Sequence, residues 1–389
     1  MKLSVSREVK LLSLVFLFIF FGFSGVQQYV TTFFSEAGLI DVGFQSLILV
    51  YIFFTLFEPV SAIFVSKYGS KKSMIIASIF YSVFILSLAT RSVSLIYLTS
   101  SLLGIAGSLL WTGQNCYLIL ASNKKSYGSN AGFFNSSISF GSAIGALILG
   151  FLILNFYFDM SFFLYSVFPL VGFLLLFKLR DLRGKQKTNH LRLVKKALTS
   201  ITALRLSVVW FFFMFIYGLV IGIIPIEINN ILGISYVGYL FSLFFILPIL
   251  FSYFFGRFSD IKGRKNLVIF SYIISILGLG LLYFAEGPFL LVAGIILLAL
   301  NHANMRPLSY AMLGDVSTKN NLEFLAALFW IVQNIGLVSA LIISRMIPTK
   351  TVYMIFIAVT TASLIILLPL FRLKLEEIKE KISQEMSLD

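Results

Sequence analysis

Apolar runs long enough to cross a bilayer recur along almost the whole chain, and the gaps between them hold most of its charge. A crossing helix needs about 20 mostly apolar residues. Cutting at the charged or turn-rich gaps predicts spans at 9–34, 43–66, 73–90, 95–121, 130–154, 160–178, 205–226, 235–257, 266–285, 288–313, 323–345 and 351–371. Backbone in hydrocarbon must satisfy its own hydrogen bonds, which leaves helices or closed barrels. The alternating ten-residue segments of a barrel are missing from the sequence. The expectation is an all-α membrane protein with twelve transmembrane helices. Composition agrees, since 59% of residues are hydrophobic and 12% charged, too little polarity to coat a soluble core. The first run is too long for a signal-peptide core and has no small-residue cleavage pattern, so it reads as the first membrane helix.

The formal net charge of +14 would suggest nucleic acid in a soluble chain. Here the basic residues sit in short gaps, so they are read as orienting the chain in the bilayer, with no nucleic-acid partner. With the N-terminus inside, 26 Lys and Arg face the cytoplasm and three (Arg91, Arg345 and Lys350) face outward, with Arg306 left in a helix. A multi-pass cell-membrane protein with both termini cytoplasmic follows. The longest gap, RDLRGKQKTNHLRLVKK from Arg180, is a linker with room for a short surface helix. Its simplest reading is a solvated basic run near anionic lipid. The expected division is a bundle at 1–178, a linker at 179–204, a bundle at 205–372 and a tail at 373–389 whose Glu/Lys spacing suits an exposed helix.

Cys116 is the sole cysteine, so no disulfide framework forms within the chain and no metal cluster or cofactor is expected. No G-x-x-x-x-G-K-[ST] loop exists for ATP-driven transport. No His pair, Ser/His/Asp set or paired carboxylates fall at matched depth, so no enzyme is expected.

The chain repeats itself. The stretch Ser66–Lys72 after the second span parallels Asp260–Lys265 after the eighth, with Gly69 and Gly263 194 residues apart. Tyr117–Ser122 parallels Tyr310–Asp315 at an offset of 193. Two similar offsets predict a six-helix unit used twice, giving two pseudo-symmetric bundles of like orientation. Parallel repeats of this kind belong to transporters that rock about a mid-membrane site.

The second copy, Gly256-Arg-Phe-Ser-Asp260-Ile-Lys-Gly263-Arg264-Lys265, resembles the G-x-x-x-D-x-x-G-R-K signature of the major facilitator superfamily. Glycine permits a tight turn and a close helix approach. Asp260 can accept hydrogen bonds from the amides of a neighbouring helix start and pair with a base. The first copy departs from the signature, with Ser66 in the Asp position, though Gly69 and the basic residues remain. Trp111-Thr-Gly-Gln-Asn-Cys-Tyr117, followed by Gly128-Ser-Asn130-Ala-Gly132-Phe, is similar to the Unc-ninety-three-like branch, apart from Asn115 where Gly is usual. Some members of that branch act as trafficking partners or channel regulators.

Glu58 and Arg306 lie each nine residues from a cytoplasmic helix end, near mid-depth, where charge is costly and rarely faces lipid. They are candidates for proton coupling and for anion or counter-ion binding. They are equally open to a structural role, paired with each other or with backbone. His302 lies one turn from Arg306 and, with Asn301, could line a cavity or hydrogen-bond between helices. The resemblance implies that helices one, four, seven and ten line the cavity. That adds Gln27, Gln28, Tyr29, Trp111, Gln114, Asn115 and Tyr217, each open to a role as interhelical glue, as are Gln333 and Asn334. Gly69, Gly256, Asp260, Gly263, Arg264 and Lys265 form the candidate gating motif, whereas Gly104, Gly107, Gly132, Gly141, Gly145 and Gly150 are assigned to packing. Two functions remain open. One is a secondary active transporter of a small solute by alternating access, with protons as candidate coupling ion. The other is a non-transporting regulator or trafficking partner.

Overall fold

The computed structural model describes residues 5–36, 38–182 and 190–387. Lys2, Arg183, Lys185 and Lys187 of the basic gaps and the side chains of Gln28 and Arg345 lie outside the described residues. Among the described residues, 12 helical segments are long and apolar enough to cross a membrane. The chain is a multi-pass membrane protein, all-helical throughout the described residues.

Among the described residues fifteen α-helices follow in order. The first five are α1 (Arg7–Glu36), α2 (Ile40–Tyr68), α3 (Ser70–Ala89), α4 (Val93–Leu120) and α5 (Tyr127–Tyr165). Next come α6 (Val167–Leu176), α7 (His190–Thr199), α8 (Ile201–Gly222), α9 (Ile224–Leu232) and α10 (Ile234–Lys262). The last are α11 (Lys265–Tyr283), α12 (Pro288–Val316), α13 (Leu322–Met346), α14 (Thr349–Leu367) and α15 (Leu375–Glu385). α5 is two helices joined at Tyr157, whose φ of 60° and ψ of 173° break the helical ladder. The fifth span therefore ends and the sixth begins at this break.

Two compact units emerge. One comprises residues 4–122 and 137–190, the other residues 123–136 with 191 onward. In the first, α2 and α3 both pack on α4, while α6 packs on α1 and α3. In the second, α10 and α11 both pack on α12, while α14 packs on α8 and α11. The same helix pairs recur, as a six-helix repeat requires. The repeat is also written in the backbone. Gly38 and Gly69 have φ of 73° and 90°, and Gly233 and Gly263 have 91° and 88°. The two pairs are 195 and 194 residues apart. Gly69 alone separates α2 from α3, and Gly263 with Arg264 separates α10 from α11, each glycine in a left-handed conformation that costs it little.

Two details differ from expectation. The seventh span shifts forward, opening at Ile201 and ending at Gly222, because Pro225 falls just beyond and a separate short helix, α9, takes over. The tail helix α15 is not simply exposed, since Ile378, Ile382 and Met386 form a buried stripe at helical spacing. Its Glu385 sits at the start of α8. It accepts from the Ser200 hydroxyl, the Thr202 amide (3.1 Å) and the Thr202 hydroxyl (2.5 Å).

Candidate functional site

In the first unit the buried polar groups line up along the α2–α4 seam. Glu58 is fully buried, and its Oε2 accepts from the Thr112 hydroxyl at 2.7 Å. One turn along each antiparallel helix, the hydroxyls of Ser61 and Ser108 meet at 2.6 Å. Glu58 Oε1 has no hydrogen-bond partner, and neither do the two amide atoms of the buried Gln114 or Oδ1 of Asn115. Among the described residues no ion pair involves Glu58. Pro59 follows it inside α2 and supplies no backbone donor to the preceding turn. Trp111 packs against Phe16 and Phe20, with ring centroids 5.5 and 5.0 Å away, and hydrogen-bonds Tyr81. Gln27 Nε2 donates to the Tyr51 hydroxyl at 3.0 Å, tying α1 to α2.

The second unit holds a counterpart on α12. The ring of His302 lies 5.1 Å from Phe213, 5.4 Å from Tyr217 and 4.8 Å from Phe244, centroid to centroid. Three aromatic side chains from α8 and α10 thus enclose it. His302 Nδ1 and the Oδ1 of Asn301 have no hydrogen-bond partner. Arg306, one turn further, hydrogen-bonds Tyr310. Neighbouring Asn304 has a structural task, donating to the Leu267 carbonyl (2.8 Å) and the Ser271 hydroxyl (2.7 Å) of α11. Glu58, Trp111, Gln114, Asn115 and Gln27 belong to one unit, while Arg306, His302, Asn301 and Tyr217 belong to the other.

The signature motif forms a third cluster, wholly within the second unit. Asp260 accepts from the amides of Gly128 (2.8 Å) and Ser129 (2.7 Å) and from the Ser129 hydroxyl (2.7 Å). These are the first-turn donors of α5, where the helix dipole favours an anion. Gly128 can present its amide because its Cα faces the backbone carbonyl of Gly256, with no room for a side chain between them. Arg264 donates from Nη1 to Asp260 (2.8 Å) and from Nε to Asp315 (2.8 Å). Burial alone would lower the pKa of the Arg264 guanidinium, but Asp315 and Asp260 outweigh it and hold the group above its ordinary value. Lys265 points to solvent. In the other copy Ser66 and Ser70 replace the acid and base, and the Ser66 hydroxyl is unpartnered. There Lys71 donates instead to the carbonyls of Phe177 (2.8 Å) and Leu179 (2.6 Å), at the end of α6.

Sequence reasoning does not single out Phe213 and Phe244, because in a chain with 43 Phe no single ring carries a signal. The motifs contain Gly128 and Asp315 but do not by themselves assign them to Asp260 and Arg264. The glycines assigned to packing lie against neighbouring helices. Gly104 and Gly107 face α2, Gly141 and Gly145 face α1, and Gly132 faces α10.

The sequence model of the Major Facilitator Superfamily matches residues 11–226 and again 206–387. The chain belongs to the major facilitator superfamily. Solved members share its fold at low identity. The proton:xylose symporter XylE aligns with a TM-score of 0.76 at 12% identity, covering 94% of this chain and 96% of that one. The human organic anion transporter MFSD10 gives 0.75 at 14%, covering 93% and 99%. A bacterial homologue of the iron transporter ferroportin, in an outward-facing state, gives 0.75 at 13%, covering 97% and 100%. Curated relatives match a shorter stretch. UNC93-like protein MFSD11 of Xenopus laevis is 26% identical over 145 residues, 36% of this chain and 33% of that protein. UNC93-like protein 3 of Arabidopsis thaliana is 29% identical over 133 residues, 34% and 27% respectively. The aligned stretch thus spans a third or less of these relatives.

Proposed function

We propose that this facilitator is a secondary active transporter of a small solute, coupled to protons through Glu58. Bundles at 1–178 and 205–372, joined by the linker 179–204, would carry alternating access, with both termini on the cytoplasmic face of the cell membrane. The observation that carries the reading is the Glu58 carboxyl. It lies inside the membrane span with one oxygen on Thr112 and the other unpaired. The Thr112 hydroxyl can donate to the carboxylate or accept from the protonated acid, so the site accommodates either state without rearrangement. Asn301, His302, Arg306 and Tyr217 would supply the solute contacts of one unit, and Trp111, Gln114, Asn115 and Gln27 those of the other. Asp260 would act in gating, because its hydrogen bonds to Gly128 and Ser129 must be made and released as the cycle proceeds. The shared fold hosts both a proton:xylose symporter and an organic anion transporter.

The test is uptake by reconstituted vesicles of a panel of sugars, organic anions and amino acids, with and without an imposed pH gradient. Glu58→Gln abolishes the pH-gradient dependence and Arg306→Ala alters solute affinity. Unchanged coupling in Glu58→Gln removes that residue from the mechanism. A second reading, a regulator without transport, draws on the aromatic packing around Trp111 and His302, which leaves little room beside them. Absence of uptake across the panel, with a partner retained on purification, selects it.

A further inference from the structure

We propose that the α2–α4 seam around Glu58 binds a small monovalent cation, for which Na+ is the probe. The hydroxyl protons of the seam are all committed. Thr112 donates to Glu58 Oε2 at 2.7 Å, Ser108 to the Ile105 carbonyl at 2.8 Å and Thr55 to the Tyr51 carbonyl at 2.8 Å. With its own proton engaged, Ser108 accepts from Ser61 in the 2.6 Å pair they form. What remains is acceptor oxygen. Glu58 Oε1 and Asn115 Oδ1 have no hydrogen-bond partner, in residues that are 0% and 2% exposed. Pro59 has no N–H, so the Thr55 carbonyl four residues before it lacks its helical donor. Ser108, Thr112 and Asn115 are spaced four and three apart and share a face of α4, while Glu58 and Ser61 share a face of α2.

A seam with surplus acceptors and no donor left for them calls for a positive charge. Among the described residues no ion pair involves Glu58, and its partners Thr112, Ser61, Ser108 and Asn115 are neutral. Oxygen ligands of this hard type suit alkali and alkaline-earth ions, whereas transition metals favour imidazole and thiolate. One carboxylate balances one positive charge, and a divalent ion would leave a net charge inside the span, where charge is costly. Oxygens paired at 2.6 and 2.7 Å enclose a small ion with little spreading, which favours Na+ over K+. Carbonyls freed where a membrane helix is interrupted are suited to coordinating Na+, and Thr55 offers one. The seam is the one that proton coupling through Glu58 would use, so cation binding has to be measured apart from transport.

The test uses the full-length protein in detergent at one pH and fixed chloride, with choline replaced stepwise by Na+ or K+. Binding is read by retention of radioactive Na+ and by resistance to unfolding in dodecyl sulfate. Saturable Na+ binding is expected, and an excess of about a hundredfold over Kd raises the folded-to-unfolded ratio about a hundredfold. Glu58→Gln keeps the shape, removes the charge and loses the saturable binding. Thr112→Val removes one neutral oxygen and weakens Na+ roughly tenfold. Thr361→Val, at an exposed threonine of α14 that donates to the Ile357 carbonyl, keeps wild-type binding. Equal stabilisation by Na+ and choline, or saturable Na+ binding that survives in Glu58→Gln, overturns the proposal. If Glu58→Gln does not fold, Thr112→Val decides, and unchanged Na+ affinity there overturns it. Uptake driven by a pH gradient is scored separately. Its loss in Glu58→Gln, with no Na+ binding by the wild type, removes the cation site and leaves proton coupling standing. Saturable Na+ binding through Glu58, with uptake indifferent to the pH gradient, keeps the site and removes proton coupling.

Discussion

Arg264 shares its charge between two carboxylates, and the arrangement predicts how their removal must combine. The side chains of Arg264, Asp260 and Asp315 are 6%, 2% and 10% exposed, so none of their interactions is screened by water. In Asp260→Asn the guanidinium keeps Asp315, so the loss is confined to charged hydrogen bonds, about 1.5–3 kcal/mol. Because Asn has one acceptor oxygen for the α5 amides and the Ser129 hydroxyl together, this change sits at the upper end of that range. Asp315→Asn sits at the lower end. The double variant strands a buried cation, which costs about 3–5 kcal/mol beyond the lost hydrogen bonds. The pair is therefore expected to be worse than the sum of the singles by roughly 1–2 kcal/mol or more, after partial relaxation. Adding Arg264→Leu to the double variant removes the stranded charge and recovers part of the loss. The assay is unfolding of purified protein in mixed micelles with rising dodecyl sulfate, followed by circular dichroism. The exposed Arg91–Asp159 pair, at 57% and 44% exposure, is the control, and Asp159→Asn should change stability by less than about 1 kcal/mol. Additivity of Asp260→Asn and Asp315→Asn within about 0.5 kcal/mol would refute a shared counter-ion.

Burial disfavours the charged form of Glu385, but the hydrogen bonds from Ser200 and Thr202, with Lys381 nearby, prevail and hold its pKa below the ordinary glutamate value. A depressed carboxyl stabilises docking above the unfolded pKa and loses that contribution as pH falls through the folded value. Hydrogen exchange at 375–386 should therefore stay slow at neutral pH and quicken at acid pH below the usual glutamate range. Glu385→Gln should exchange faster at neutral pH with a flatter acid profile, and an unaltered profile would assign the acid response to other groups. Gly145→Val would force a side chain into the Phe21 backbone, whose carbonyl carbon would lie 2.9 Å from the new Cβ, and would displace the Tyr165 hydroxyl from the Gly145 carbonyl. Overpacking of this kind costs about 1–3 kcal/mol or more and should lower the thermal midpoint of the purified protein, whereas Gly280→Val, in open space, should not.

Helix number and repeat were legible because both are dictated by coarse physics. Twenty apolar residues have few other fates in lipid, and the offset of Gly69 from Gly263 reports backbone geometry that side-chain drift leaves alone. Boundaries were less legible where one residue decides them. Tyr157 breaks α5 through a positive φ that no composition signal marks, and Pro225 ends the seventh span earlier than hydropathy alone suggests. The demand of Asp260 for helix-start amides and a base was visible in its motif. The identity of the helix start was not, because Gly128 is 132 residues away and is selected by tertiary packing. The tail shows the same gap. Its Ile378–Ile382 stripe was written in the sequence but is short enough to be hidden among the charges around it.

The glycines at 69 and 263 bend the chain alike, yet one bend is fastened by ions and the other by a lysine on peptide carbonyls. A duplicated architecture thus has unequal fasteners. Removal of a carboxylate would therefore loosen the later copy alone. An inventory of acidic motifs would count one such bend in this chain, and an inventory of left-handed glycines would count both.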